Sequence, residues 1–137
     1  MLLTELKAQN LVDGMGLQGH WNIEAPSDDL ISAAFNRYSS VGVELRVSEL
    51  DVSIYPSNSD PESEFTSAIE LQQAMAFGRF FRLFRMYRDD ISGITTWGMA
   101  DNHTWLDNFP VAGRKNYPLL FDVDLVPKQA YFTVIQF

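Results

Sequence analysis

Apolar and polar positions along the chain follow patterns that predict strands and helices in turn. Strand-like patterns cover residues 11–21, 43–55 and the start of 91–105. Helical spacing of apolar residues covers 2–10, 28–42, 65–87 and 126–137. Ser27 is expected to cap the helix over 28–42, and Gly42 to end it. Strands that alternate with helices are typical of a parallel α/β fold.

The segment VELRVSELDVSIY, residues 43–55, carries two acids at the end of a face that is otherwise apolar. Period-two counting places on one face Val43, Leu45, Val47, Glu49 and Asp51. Ionised carboxylates rarely lie on a buried face unless they are paired or used. One interpretation is a structural ion pair, with Arg46 or a helix N-terminus as the partner. The other is a functional site.

Polar and aromatic residues stand at the carboxyl ends of all three predicted strands. They are Gln18, His20 and Trp21, then Glu49 and Asp51, then Trp97, Asp101 and Trp105. Functional residues of parallel α/β proteins lie at these strand ends. In the first strand, small residues at 14 and 16 share a face with positions 18 and 20. A structural ion pair requires no such convergence, so the pattern favours a functional site.

The residue types at this rim suit a carbohydrate. Indole rings stack on the apolar faces of sugars, and amide, imidazole and carboxylate groups bind their hydroxyls. Glycoside hydrolysis uses a pair of carboxylates, one of which is a nucleophile or base. His20 is able to hold the charge of Glu49 through a hydrogen bond, with Asp51 supporting the imidazole.

Composition narrows the class of partner. A chain of 137 residues with 46% hydrophobic and 20% charged residues predicts one globular domain. The net charge of −8 and the pI of about 4.5 argue against nucleic acid and anionic membranes as partners. The absence of cysteine excludes disulfides and thiol chemistry. No apolar run reaches the length of a membrane span, and no signal peptide is visible.

Other sites are weaker interpretations of the same sequence. A zinc site would have to combine His20, His103 and Glu49. Asp122 and Asp124 lack the spacing of a calcium loop, and the glycines at 14 and 16 are not followed by the helix of a dinucleotide site. No metal or cofactor is therefore expected. Arg79, Arg82 and Arg85 are interpreted as a solvated helix face, and core packing remains an alternative for Trp97.

Four segments carry a resemblance to a known family. VDGMGLQGHW, VELRVSELDVSIY, ITTWGMADNHTWL and YPLLFDVDLVPKQAY resemble, in order, the signatures of the catalytic domain of glycoside hydrolase family 10, the endo-β-1,4-xylanases. The resemblance implies a (β/α)₈ TIM barrel, a retaining mechanism, xylan or xylo-oligosaccharides as substrate, and a secreted or extracytoplasmic location. It implies that Glu49 is the nucleophile, that His20 binds it and that Asp51 binds His20. The residues implied to line sugar subsites are Gln18, Trp97 and Trp105.

The chain departs from the family pattern in its extent. Residues 1–137 are similar to only the last three βα units, the C-terminal part of the catalytic domain. The family's acid/base glutamate belongs to a W-D-V-V-N-E-like segment, which is absent from this sequence. We therefore expect the chain to be inactive alone and to need the N-terminal half of the barrel, from the same gene or a separate chain, or to self-associate. A non-catalytic sugar-binding or barrel-assembly module is the alternative. Without the rest of the barrel, Val43, Leu45 and Val47 are expected to lose their cover.

Overall fold

The computed structural model describes residues 2–136 and confirms the alternation of strands and helices. The helices are α1 (Leu2–Ala8), α2 (Asp28–Ser39), α3 (Ser67–Met86) and α4 (Gln129–Val134). The strands are β1 (Gly14–Leu17), β2 (His20–Asn22), β3 (Glu44–Ser53) and β4 (Ile91–Thr96). Two 3-10 turns follow β4, at Asp101–His103 and Trp105–Asp107. The predicted last helix extends to Phe137, which lies outside the described residues.

Strand β3 is the centre of a parallel sheet. It pairs with β1 and then β2 along one side, and with β4 along the other. Within residues 2–136, β1 and β4 each pair with β3 alone, so the sheet is open at both edges. The predicted parallel α/β class is therefore confirmed.

One hydrophobic core lies between β3 and helices α2 and α3. Phe35 of α2 and Phe77 and Phe80 of α3 are fully buried. Burying such a side chain stabilises the fold by about 1.5–3 kcal/mol. The Ser27 side chain accepts a hydrogen bond from the Leu30 amide, as expected of an N-cap. The helix ends earlier than predicted, because its C-cap is Ser40 and not Gly42.

A bulge in β3 changes which residues share a face. Leu17 pairs with Val47 and His20 with Asp51, so β3 carries one residue more than its neighbours β1 and β2 over this interval. The pairing with β4 shows the same extra residue between Val47 and Leu50. A bulge of this kind re-aims the side chains that follow it.

The predicted common face of β3 is therefore wrong. Val43, Leu45 and Val47 are buried beneath the helices, and after the bulge the buried residues of that face are Leu50 and Val52. The expectation that the first three would lose their cover is also wrong, because α2 and α3 of this chain bury them. The opposite face of the sheet is open and bears glycine and polar residues: Gly14, Gly16, Glu44, Arg46, Ser48, Gly93 and Thr95.

The predicted strand over residues 11–21 is interrupted at Gln18 and Gly19. Gly19 has a φ of +88°, and a Cβ there would lie 2.8 Å from Cγ1 of Val47. Glycine is therefore required for the backbone to pass β3 at this point. The break separates β1 from β2 and sets the direction in which His20 leaves the sheet.

The sequence suggested that the arginines of α3 form a solvated face. The structure shows instead that each of them binds a group on another helix. Arg79 and Arg82 both bind the carboxylate of Asp28, the first residue of α2. Arg85 donates a hydrogen bond to the Val134 carbonyl of α4. These contacts tie three helices together.

None of the helices described over residues 2–136 is long and apolar enough to span a membrane.

Candidate active site

The carboxylate–histidine cluster, formed by Glu49, His20 and Asp51, lies at the carboxyl end of the sheet. Nε2 of His20 lies 3.0 Å from Oε2 of Glu49, and Nδ1 lies 3.0 Å from Oδ2 of Asp51. The imidazole thus bridges two acids of the adjacent strand. The alternative partner Arg46 instead donates to Oγ1 of Thr95, on the open face of the sheet.

The bulge explains how both acids reach one imidazole. The extra residue of β3 lies between Val47 and Leu50, so Glu49 is within the bulge and Asp51 follows it. Both acids leave the strand on the side opposite Leu50 and Val52. The Glu49 amide is held by the Gln18 carbonyl at 2.8 Å, and the Asp51 amide by the Gly19 carbonyl at 3.2 Å. The backbone break before β2 therefore supports the same two acids whose side chains His20 binds.

Both ring nitrogens of His20 contact acids. A neutral imidazole has one N–H, but here each ring nitrogen faces a carboxylate oxygen. Both contacts are hydrogen bonds only if the cluster holds two protons, as in an imidazolium between two carboxylates. Glu49 is the more exposed acid of the cluster, with 24% of its side chain accessible against 1% for Asp51.

Asp51 is held by a third group that the sequence did not suggest. The indole Nε1 of Trp105 donates to Oδ2 of Asp51 at 2.8 Å. Burial raises the pKa of Asp51 above its ordinary value, and the hydrogen bond from Trp105 acts in the opposite direction. Oδ1 of Asp51 is buried without a hydrogen-bond partner among the described residues.

The structure brings two of the predicted tryptophans to His20. The ring centroid of Trp105 lies 4.9 Å from that of His20, and the centroid of Trp97 lies 6.3 Å away, both in edge-to-face orientations. Trp97 is 47% exposed and lies outside the core that this chain forms. Gln18 is exposed beside the cluster, joined to Glu49 through its backbone carbonyl.

Two other residues predicted at the rim lie elsewhere. The Trp21 ring packs on Phe80 and Phe84, with centroids 4.5 and 5.9 Å away, and belongs to the core. Asp101 is buried in an ion pair with Nζ of Lys128 at 2.8 Å. Both were placed at the rim by position along the strand, and neither side chain reaches the cluster.

The Asp101–Lys128 pair fixes the segment that carries the rim tryptophans. Oδ1 of Asp101 accepts from the Leu119 amide, and Lys128 also donates to the Tyr117 carbonyl. Burial raises the pKa of Asp101 and lowers that of Lys128, while their mutual attraction opposes both shifts. Nothing local in the sequence pairs these residues, because they lie 27 positions apart.

A cavity of about 430 Å³ has Trp105 as part of its wall. Its walls include His20, Asp51, Tyr55, Asn116 and Arg114. Nη1 of Arg114 donates to the carbonyls of residues 57, 58 and 60 and thereby holds the loop after β3. A second cavity of about 500 Å³, between α3 and the segment that follows β2, contains no residue of the cluster.

A metal centre finds no support in the described part of the chain. No group of three or more histidine, cysteine or acidic side chains within residues 2–136 is arranged to hold a metal ion. Asp122 accepts hydrogen bonds from the backbone amides of Asp124 and Val126 and so closes its own loop. His103, in the 3-10 turn after β4, is exposed.

Relatives in sequence and in structure share one family. The chain is 48% identical over 128 residues to endo-1,4-beta-xylanase B of Paenibacillus barcinonensis, and 44% identical over 126 residues to an endo-1,4-beta-xylanase of Geobacillus stearothermophilus. Each match covers 90% of this chain and 38% of the relative. A solved GH10 structure from Paenibacillus barcinonensis superposes with a TM-score of 0.94 at 41% identity, over 98% of this chain and 39% of that one.

The family model for glycosyl hydrolase family 10 matches residues 1–137, the full length of the sequence. The chain spans about 38% of the length of the curated relatives it matches. Its parallel strands and helices correspond to the C-terminal βα units of the TIM barrel in those relatives. The chain therefore belongs to glycosyl hydrolase family 10 and represents a C-terminal part of its barrel.

Proposed function

We propose that this chain is the nucleophile-bearing part of a retaining endo-1,4-β-xylanase. The observation that carries the proposal is the contact of Glu49 with His20, because it presents a partly exposed carboxylate at a strand end with its charge held by a hydrogen bond. The named relatives are endo-1,4-beta-xylanases, which supports xylan as the substrate. The family resemblance supports a secreted or extracytoplasmic location for the enzyme.

In the proposed mechanism Glu49 is the nucleophile. Its oxygen would form a bond to the anomeric carbon of the sugar as the bond to the leaving-group oxygen breaks. Asp51 is unsuited to this step, because it is 1% exposed and His20 and Trp105 share its Oδ2. In this mechanism His20 holds the charge and orientation of Glu49, and Asp51 holds His20.

The remaining rim residues would bind the sugar chain. Trp97 and Trp105 present indole rings beside the cluster, and Gln18 presents an amide. Rings of this kind stack on the apolar face of a pyranose, and the amide binds hydroxyls. Trp97 is the most accessible of the three tryptophans, as stacking on a polymer requires.

The second carboxylate of a retaining pair would come from the part of the barrel outside this sequence. Retaining enzymes place the two carboxyl groups about 5–5.5 Å apart. The open edges at β1 and β4 are the places where further strands would pair. The partner of this chain is accordingly the N-terminal part of the barrel, in one polypeptide or as a separate chain.

A chimera tests the proposal directly. The N-terminal part of Paenibacillus barcinonensis endo-1,4-beta-xylanase B, which is 48% identical to this chain where they align, would be joined to residues 1–137. The chimera is expected to cleave xylan, and Glu49→Gln should lower kcat by about 10⁴-fold or more. An activated 2-fluoro xyloside should label Glu49, as read by mass spectrometry of peptides.

Glu44→Gln is the matched control, because Glu44 begins the same strand and its side chain is exposed away from the cluster. This variant should keep its activity. Label on another residue, or an active Glu49→Gln chimera, would refute the assignment. A chimera that binds xylan without cleaving it would support the alternative, a sugar-binding or barrel-assembly module.

A further inference from the structure

Two donors meet on one oxygen of Asp51. Nδ1 of His20 lies 3.0 Å from Oδ2, and Nε1 of Trp105 lies 2.8 Å from the same atom. The other oxygen, Oδ1, is buried without a partner among the described residues. The shorter of the two contacts thus comes from Trp105. Stacking on a sugar does not by itself require a tryptophan to bind an acid.

The ionised form of Asp51 is costly at this position. A carboxylate that is 1% exposed has lost its hydration and regains only the hydrogen bonds that the protein supplies. The ionisable groups around it are His20 on β2 and Glu49 on β3, with Tyr55 and Arg114 across the cavity. Arg114 is committed to the loop after β3, and Glu49 is a like charge. Within residues 2–136, the Trp105 N–H is therefore the uncharged side-chain donor that favours the ionised carboxylate.

The indole of Trp105 is held so that its N–H keeps this direction. The Thr104 hydroxyl accepts from the Leu106 amide and begins the 3-10 turn Trp105–Asp107. Phe109 stacks on the indole with a centroid distance of 5.4 Å. Asp107, at the end of the turn, accepts from the Asn116 amide at 2.9 Å. Phe109 thus holds the ring itself, and the two hydrogen bonds hold the turn that carries it.

We propose that Trp105 is a positioning residue of the carboxylate–histidine cluster, whose indole N–H keeps Asp51 ionised so that Asp51 holds His20 against Glu49. The sugar-stacking face of the same ring is a separate property. The proposal rests on the proposed function for its catalytic consequence, but the hydrogen bond and its effect on Asp51 are measurable without any substrate.

The first test replaces the N–H and keeps the ring. Trp105→3-benzothienylalanine, made in the chimera, retains the bicyclic shape and has sulfur in place of N–H. Carboxyl-¹³C NMR of labelled aspartate should show the titration midpoint of Asp51 raised by about one pH unit, the size expected for one lost charge-assisted hydrogen bond. The same replacement at Trp97, which has no hydrogen bond to Asp51 in the structure, should leave that midpoint unchanged.

The second readout is the pH profile of xylan cleavage. The acidic limb of kcat/KM should move to higher pH by the same amount, because Asp51 is then protonated earlier as the pH falls. In an Asp51→Asn background, the replacement at Trp105 should no longer move the limb. An Asp51 midpoint that stays in place refutes the inference. A raised midpoint in a chimera without xylanase activity refutes the proposed function and leaves the inference standing.

Discussion

Nε2 of His20 lies 3.0 Å from Oε2 of Glu49, although the two residues stand on different strands and 29 positions apart. If Glu49 attacks the sugar, this contact must hold its charge until the bond forms. His20→Ala removes one charge-assisted hydrogen bond, worth about 1.5–3 kcal/mol. We therefore expect formation of the glycosyl-enzyme to slow by roughly 10–150-fold in the chimera, measured by pre-steady-state kinetics with an activated xyloside.

The control is His103→Ala, because His103 is exposed and is the other histidine of the sequence. It should leave the rate unchanged. If His20→Ala reacts at the wild-type rate, the histidine has a structural role only.

Gly19→Ala tests the backbone break that aims His20. The residue has a φ of +88°, and the added Cβ would meet Cγ1 of Val47 at 2.8 Å. Gly42→Ala is the matched control, because Gly42 has a φ of +80° with nothing within 4 Å of its added Cβ. Both variants should lose about 1–2 kcal/mol of unfolding free energy to backbone strain, and Gly19→Ala about 1–3 kcal/mol more to overpacking. Urea denaturation of the chimera measures the difference, and equal losses would contradict the close contact.

Lys128→Met tests the buried pair beneath the rim tryptophans. Removing Lys128 leaves Asp101 buried without its counter-charge, which costs about 3–5 kcal/mol when a buried pair is broken. Lys115→Met is the control, because that lysine pairs with Asp107 at the exposed surface of the same segment. Thermal unfolding should show a large fall in Tm for the first variant and almost none for the second. Similar Tm values for the two variants would show that the pair does not hold this segment.

Asp28→Asn tests the link between α2 and α3 through its pH dependence. The hydrogen bond from Arg79 lowers the pKa of Asp28 below its ordinary value of 3.8, so the folded state favours the ionised form. This contribution to stability is complete above that value and is lost as the pH falls through the lower pKa of the folded state. Asp28→Asn should therefore destabilise the chimera at pH 7, and the deficit should shrink below pH 3.8. A deficit that is independent of pH would assign the effect to helix capping.

The sequence predicted the order of elements well, because helical and period-two patterns are local properties. It could not predict the bulge in β3, since an extra residue becomes visible only when β3 is paired with its neighbouring strands. Period-two counting through Glu49 therefore joined two different faces. Val43, Leu45 and Val47, which were expected to need the rest of the barrel as cover, face the helices of this chain instead.

The sequence predicted which residues of the candidate site lie at the carboxyl ends of the strands. The structure brings Glu49, His20 and Asp51 together as the strand-end argument expected, while their roles remain predictions. The partners of Asp101 and of Arg79 were missed, because ion pairs between distant segments leave no pattern in composition or spacing. The hydrogen bond from Trp105 was missed for the same reason, since an indole can serve a sugar or an acid equally well.

The behaviour of the 137-residue chain alone is the last prediction. Its core should persist, because the helices of the chain itself bury the apolar face of β3. The open edges at β1 and β4 nevertheless expose unpaired backbone groups that invite pairing with other chains. We therefore expect a self-associating species by light scattering, with helical circular dichroism. It should not cleave xylan, because a retaining mechanism needs a second carboxylate opposite Glu49. Adding the N-terminal part of the relative's barrel should reduce self-association and restore cleavage, whereas an active monomer would overturn both expectations.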